Sequence, residues 1–79
     1  MYTYFTYFMF RRKYSTPETG TYYSYDLVVY GLFYRGPVQV VRDVSTDGDL
    51  VFQMMTLFNE KGLSPIHFLD AVQDFLNME

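Results

Sequence analysis

Residues 44–76 read VSTDGDLVFQMMTLFNEKGLSPIHFLDAVQDFL. In the first half of this stretch the apolar residues recur every three or four positions, which is the spacing of a helix with one buried face. They are Leu50, Val51, Met54, Met55 and Phe58. Thr46 is the predicted N-cap, with Asp49 at the third helical position. Gly62 is the predicted left-handed residue that ends the helix, and Leu63 is expected to fold back towards Phe58.

A second helix is predicted directly after the first. Ser64 is expected to be its N-cap, and Pro65 suits the first helical position, where a missing N–H costs nothing. The predicted buried stripe of this helix consists of Ile66, Leu69, Val72, Phe75 and Leu76. The stretch therefore predicts a helical hairpin.

The chain before this hairpin has the pattern of three strands. Residues 2–14 alternate aromatic, Thr and Met side chains, which suits a strand. A turn around Pro17 and Gly20 separates them from a second strand over residues 21–35, and Gly36-Pro37 precedes a third over residues 38–44. Short connections between strands favour an antiparallel meander.

These elements predict an α+β fold, a three-stranded antiparallel meander followed by a C-terminal two-helix hairpin packed on one face. We expect one domain over residues 1–79, with the meander in residues 1–45 and the hairpin in residues 46–79. In the second strand Leu27 and Val29 point to one face, and Val28 and Tyr30 point to the other. Both faces are apolar, and two helices can cover only one of them.

The helical half also carries a family resemblance. Its motifs are Val44-Ser45-Thr46-Asp47, Leu57-Phe58-Asn59, Leu63-Ser64-Pro65-Ile66-His67, Asp70-Ala71-Val72 and Asp74-Phe75-Leu76. Over residues 43–76 the chain resembles a family of short proteins from clostridia and related Firmicutes that is known only as a domain of unknown function. The resemblance implies a bacterial, cytoplasmic protein and implies no reaction.

Composition excludes several kinds of site. The chain has no cysteine, so it has no disulfide, no thiolate zinc site and no Cys nucleophile. Its net charge is −3, with +2 in residues 1–45 and −5 in residues 46–79. This balance disfavours a nucleic-acid partner. We expect no cofactor, no metal, no membrane insertion and a cytoplasmic location.

His67 is the only histidine and the first candidate for chemistry. Asp70 and Asp74 follow it on the second helix, so the three residues form a possible polar cluster. A packing or capping role is favoured for His67, because no second histidine, cysteine or evident serine nucleophile accompanies it. We therefore predict no catalytic residue, with an enzyme centred on His67 as an alternative.

A partial calcium-loop pattern lies just before the first helix. Oxygen-bearing residues occupy loop positions 1, 3, 5 and 7, and Gly48 occupies position 6. Position 12 requires a bidentate Glu but holds Met54. A strand-to-helix turn with acidic capping residues is the favoured interpretation.

The tyrosine-rich strands are the strongest candidate for an interaction surface. All nine tyrosines fall between Tyr2 and Tyr34. The predicted surface residues are Tyr4, Tyr30, Tyr34, Arg11 and Arg12. Aromatic and basic residues on a sheet also suggest binding of single-stranded nucleic acid.

Hairpin geometry argues against that second interpretation. It places Arg11 near Tyr25 and Arg42 near Gly31 and Phe5, so the basic residues would be spread along the sheet. Arg11 and Arg12 would also point to opposite faces. The leading hypothesis is a small non-catalytic interaction or regulatory module that forms a homodimer or binds another protein.

Overall fold

The computed structural model describes residues 4–78, and these residues form the predicted α+β fold. Three antiparallel strands lie in the order β1-β2-β3, and two helices follow them in the chain. The elements are β1 (Phe5–Thr16), β2 (Gly20–Gly31), β3 (Pro37–Ser45), α1 (Gly48–Lys61), a 3₁₀ turn (Pro65–His67) and α2 (Phe68–Asn77). The first two positions of the predicted first strand, residues 2 and 3, lie outside the described part.

The register of β1 against β2 is regular from Phe5↔Gly31 to Thr16↔Gly20. Gly20 closes this hairpin with a φ of 74°, a left-handed conformation that glycine adopts without steric cost. The pairing places Arg11 opposite Tyr25, as predicted.

The β2–β3 pairing is less regular. Leu27 pairs with Val41 and Val28 with Val40, but the register shifts on both sides of this segment. One of these irregularities contains Asp43, whose φ is 52°. The prediction that Arg42 lies near Gly31 and Phe5 is wrong, because β2 ends earlier than predicted, at Gly31, and the Leu27↔Val41 pairing then brings Arg42 beside Asp26.

The second strand ends at Gly31 and not at Arg35 as predicted. A turn stops it there, in which the N–H of Tyr34 donates to the Gly31 carbonyl over 3.3 Å. The Tyr34 ring folds over Gly31, where a Cβ atom would come within 2.3 Å of the ring. The lack of a side chain at Gly31 therefore makes room for this turn.

The core lies between one face of the sheet and the two helices. It consists of Tyr7, Leu27 and Val29 from the strands, Val51, Met54 and Phe58 from α1, and Phe68 and Val72 from α2. The ring of Tyr7 meets Phe58 and Phe68 edge-on, with centroids 5.6 and 5.0 Å away. Such edge-to-face pairs add stability beyond the burial of their area.

Asn59 fixes α1 to the outer edge of β1. Its side-chain oxygen accepts from the Tyr7 N–H over 2.7 Å, and its amide nitrogen donates to the Tyr7 carbonyl over 2.9 Å. The Tyr7 hydroxyl donates in turn to the carbonyl of Leu63 over 2.7 Å. Asn59 thus occupies main-chain groups that an edge strand would otherwise present to another strand.

The ends of α1 confirm one capping prediction and correct another. Gly62 ends the helix with a φ of 61°, and the N–H of Leu63 reaches back to the carbonyl of Phe58 over 3.0 Å. The N-cap is Asp47, not Thr46, since the Asp47 carboxylate accepts from the N–H groups of Asp49 and Leu50. In the calcium-like pattern, Asp47 therefore caps the helix and Asp49 lies in its first turn.

The second helix begins differently from the prediction. Pro65–His67 forms a 3₁₀ turn, and Ser64 makes no side-chain capping bond. Ile66 is 82% exposed and Leu69 is 47% exposed, so both predictions of burial are wrong. Phe68 takes their place in the core, because it begins α2 and shares one helical face with Val72, Phe75 and Leu76, which follow it by four, seven and eight residues. Val72, Phe75 and Leu76 contact the core as predicted.

Candidate interaction surface

The sheet has a second face that the helices do not cover, and we call it the open face. It carries the side chains that alternate with the core residues, namely Phe8, Phe10, Val28, Tyr30 and Val40. Phe8 is 44% exposed, Phe10 is 47% exposed, and Tyr30 and Val40 are each 37% exposed. Phe8 and Tyr30 meet edge-on with their ring centroids 5.6 Å apart. Aromatic side chains of this exposure are typical of a surface that binds a partner.

A buried carboxylate lies on the same face. Asp26 lies in the middle of the central strand and is only 1% exposed, although its side chain is a carboxylate. Its Oδ2 accepts from the Nε of Arg12 over 3.0 Å. Its Oδ1 accepts from the Tyr14 hydroxyl and from the Asp43 main-chain N–H, the latter over 3.0 Å. Asp26 therefore joins all three strands and binds the N–H of Asp43 at the irregularity in β3.

Tyrosine hydroxyls surround this carboxylate network. The Tyr22 hydroxyl donates to the Asp43 carboxylate over 2.6 Å, and the Tyr22 ring stacks on Tyr14 with centroids 5.8 Å apart. The nearby hydroxyl of Ser24, which makes no hydrogen bond among residues 4–78, and the bonded hydroxyl of Tyr22 lower the pKa of Asp43 by stabilising its charged form. The pKa of Tyr14 is raised by burial and then by its bond to Asp26, and the bond to Asp43 raises the pKa of Tyr22. This end of the open face is thus polar and internally bonded.

The two arginines predicted for an interaction surface point to opposite faces, as their positions in the strand require. The guanidinium of Arg11 lies 4.2 Å from the centroid of the Tyr23 ring. Arg12 pairs with Asp26 and lies on the open face with Arg42. The basic residues are therefore less dispersed than the sequence suggested, because Arg12 and Arg42 line one depression.

The three predicted surface tyrosines pack against different aromatic rings. Tyr30 lies on the open face. Tyr4 is 58% exposed and packs against Phe33, with ring centroids 6.0 Å apart. Tyr34 is 60% exposed and packs against Phe5, which contacts the core. Their role in binding stays a prediction.

The predicted polar cluster is on the outside of the second helix. His67, Asp70 and Asp74 are all exposed. Within residues 4–78 no hydrogen bond or ion pair joins His67 to either aspartate, and no group of three or more His, Cys, Asp or Glu residues could hold a metal ion. His67 uses its main-chain N–H, which donates to the Ser64 carbonyl over 3.0 Å. The structure thus leaves His67 without an orienting partner in the described part of the chain.

Sequence reasoning missed Asp26, which is the most connected polar side chain of the open face. One signal for it was available. Asp26 is a charged residue inside the strand pattern Tyr25-Asp26-Leu27-Val28-Val29, and charged side chains are seldom buried unless they are paired. Its partners could not be identified, because Arg12 and Tyr14 reach it diagonally from β1 and the Asp43 N–H comes from the irregular part of β3.

The comparisons with known proteins give a family and no activity. Residues 4–78 match the model of a family of unknown function, DUF6514. The chain belongs to this family. The match to DUF6514 includes the strands as well as the helical half, whose motifs carry the resemblance. No curated protein and no solved structure is similar enough to the chain to count as a match. Among the described residues, no helix is both long and apolar enough to cross a membrane.

Proposed function

We propose that this protein is a small non-catalytic interaction module that pairs with a second copy of itself through the open face. The observation that carries the proposal is the contrast between the two sides of the sheet. One side is a closed core, and the other presents Phe8, Phe10 and Tyr30 to solvent. A second open face would cover these rings with the same chemistry, as in a two-sheet sandwich whose sheets lie about 10 Å apart.

The size of the open face supports pairing. Strands of up to 12 residues in a three-stranded sheet make a face of about 14 by 40 Å. Its flat area is about 560 Å², and side-chain relief increases the accessible area beyond that value. A stable interface buries about 800 Å² on each partner. The face is therefore of the right order for a symmetric dimer, in which each copy contributes the same patch.

The placement of His67 supports a non-catalytic role. A general acid or base is usually held by a second polar group and lies within reach of a bound substrate. His67 is exposed, and no hydrogen bond from another side chain orients it in residues 4–78. In the alternative, an enzyme centred on His67, the bound substrate itself has to orient the histidine. Bacterial origin and a cytoplasmic location stay predictions.

Sedimentation velocity of matched variants tests the pairing. Phe8→Ser removes an exposed ring from the open face, and Phe52→Ser removes a ring of similar exposure (56%) from α1, on the helical side of the sheet. We expect a concentration-dependent dimer for the wild type and for Phe52→Ser, and a weaker one for Phe8→Ser. Equal weakening by both variants, or a wild-type monomer at tens of micromolar, would refute pairing through this face.

Single-stranded nucleic acid is the second candidate. Its favouring observation is that Arg42 lies beside Phe10 and Tyr30 on one face. Bases could stack on these rings while the guanidinium contacts phosphate. Binding to an oligonucleotide that falls steeply with salt would support this function in place of pairing. If the open face serves self-association, we expect no salt-dependent binding of the oligonucleotide.

A further inference from the structure

The open face contains a depression of about 320 Å³ to which all three strands contribute. Phe10, Val28 and Tyr30 supply apolar walls, and Arg12, Asp26 and Arg42 supply charge. This volume is at the lower end of the range for small-molecule sites, and the mixture of aromatic walls with a few polar groups is typical of them.

The charges of the depression do not cancel. Asp26 is fully engaged, since its two carboxylate oxygens accept from Arg12, Tyr14 and the Asp43 N–H. Arg42 forms no hydrogen bond or ion pair with any residue in the described range 4–78. The nearby carboxylate of Asp43 is bonded to Tyr22 and does not line the depression. Two guanidinium groups thus face one carboxylate, which leaves one positive charge in excess.

Arg12 is also held in a way that leaves donors free. Only its Nε bonds to Asp26, over 3.0 Å, and its side chain is 56% exposed. The two terminal nitrogens of its guanidinium have no acceptor among residues 4–78. Asp26 acts here as a positioning residue, because the bond at Nε fixes the plane in which the remaining donors lie.

We propose that this depression binds a small aromatic carboxylate. The carboxylate lies between Arg12 and Arg42, whose planar donor sets match its two oxygens. The ring of the ligand lies against Phe10 and Tyr30, above Val28. Apolar walls alone would accept any hydrophobic compound, and arginines alone would accept any anion. The combination selects a compound that carries both groups.

The inference does not depend on self-association, but the two are coupled by position. The depression is part of the open face, so a second copy paired there would cover it. Ligand and partner therefore compete, and a saturating ligand shifts the chain towards the monomer. Pairing is measured in the absence of ligand, and ligand binding is measured on the monomer. A negative result for one of the two proposals therefore leaves the other unaffected.

Benzoate is the probe for this site, and it is titrated while the amide signals of Val28 and Val40 are followed by NMR. The sample is dilute enough for sedimentation to show a monomer. If the wild type pairs at every concentration that NMR can use, the titration uses Phe8→Ser, because Phe8 does not line the depression. We expect saturable shifts at these amides and a dissociation constant of about 1 mM, which a ligand of this size can reach. Acetate lacks the ring and benzyl alcohol lacks the charge, so each should bind more weakly.

Matched arginine variants locate the site. Arg42→Gln should weaken benzoate binding about tenfold, the effect of losing one charge-assisted contact. Arg42→Lys retains the charge without the planar donor set and should give a smaller loss. Arg35→Gln changes an exposed arginine outside the depression and should leave binding unchanged. Equal effects of Arg42→Gln and Arg35→Gln, or no saturable shift up to about 20 mM benzoate, would overturn the inference.

Discussion

The helices cover one face of the sheet, which carries Tyr7, Leu27 and Val29 and is called the covered face. The covered face and the open face are formed by the same strands, and adjacent residues of a strand belong to different faces. Tyr7 and Val29 are buried on the covered face, while their neighbours Phe8 and Tyr30 are partly exposed on the open face. Alternation along a strand is the cause, because successive side chains point to opposite sides. The helices supply the asymmetry, since α1 and α2 both pack on the covered face.

The polar residues distinguish the two faces further. On the covered face, Asn59 and the Tyr7 hydroxyl bond to main-chain groups and hold elements together. On the open face, Asp26 joins the strands, while Arg12 and Arg42 leave donors available. One face thus encloses the core, and the other combines a carboxylate that joins the strands with arginine donors that have no acceptor among residues 4–78.

The largest expected effect separates core from surface. Phe68→Ala removes a fully buried ring and should cost about 3–5 kcal/mol of the free energy of unfolding. Phe10→Ala removes a ring that is 47% exposed and should cost only about 1 kcal/mol. Urea denaturation followed by circular dichroism measures both. Comparable losses would mean that the open face contributes to folding as the covered face does.

The next effect concerns the buried carboxylate of the open face. Asp26→Ala leaves the Tyr14 hydroxyl and the Asp43 N–H without their acceptor, which should destabilise the fold by about 1–3 kcal/mol. Asp26→Asn retains an acceptor oxygen and should cost less. Hydrogen exchange of the Asp43 amide provides a local measurement, and unchanged protection in Asp26→Ala would show that the carboxylate does not hold this irregularity of β3.

Alkaline pH tests the covered face through Tyr7. Burial raises the pKa of Tyr7 from 10.0 to about 12, so the unfolded chain releases this proton first as pH rises. The stabilisation from this group is complete below pH 10 and is lost between pH 10 and 12. Tyr7→Phe lacks the titrating group and should also lose about 1 kcal/mol at pH 7 with its bond to Leu63. The stability advantage of the wild type over Tyr7→Phe should therefore shrink above pH 10 in urea titrations, and a constant difference would contradict the assignment.

The smallest effect compares two adjacent candidates for the N-cap of α1. Asp47→Ala should cost about 1 kcal/mol, because the carboxylate accepts from two N–H groups of the first turn. Thr46→Ala should change the free energy of unfolding by less than about 0.5 kcal/mol. Thermal denaturation of both variants decides between them, and a larger loss for Thr46→Ala would favour the cap expected from sequence.

Much of the fold is encoded by residues that lie within or next to the element they affect. The three strands, the two helices and the stop at Gly62 follow from periodicity and from residues next to the element they affect. The choice of Asp47 over Thr46 could not be made from sequence, because both residue types cap helices and the backbone decides between them. The burial of Phe68 follows from the helical face that it shares with Val72, Phe75 and Leu76, a spacing that the sequence also contains.

The site was harder to predict than the fold. The aromatic character of the strands predicted a binding surface, but Tyr4 and Tyr34 pack against Phe33 and Phe5, whereas Tyr30 packs against Phe8 on the open face. Arg42 reaches Asp26 because β2 ends at Gly31, earlier than predicted, so that Leu27 pairs with Val41. The early end of β2 depends on the packing of the Tyr34 ring over Gly31, which the strand pattern of residues 21–35 did not reveal.

The most direct test compares Val40 with Val41, adjacent residues that point to opposite faces. Val40 is 37% exposed on the open face, and Val41 contacts the core. A soluble paramagnetic agent should broaden the Val40 methyl signals strongly in dilute samples, and this effect should decrease as protein concentration rises and the open faces pair. The Val41 signals should be protected throughout. Broadening of Val40 that is independent of concentration would contradict pairing through the open face, and equal broadening of both residues would contradict the division between the faces.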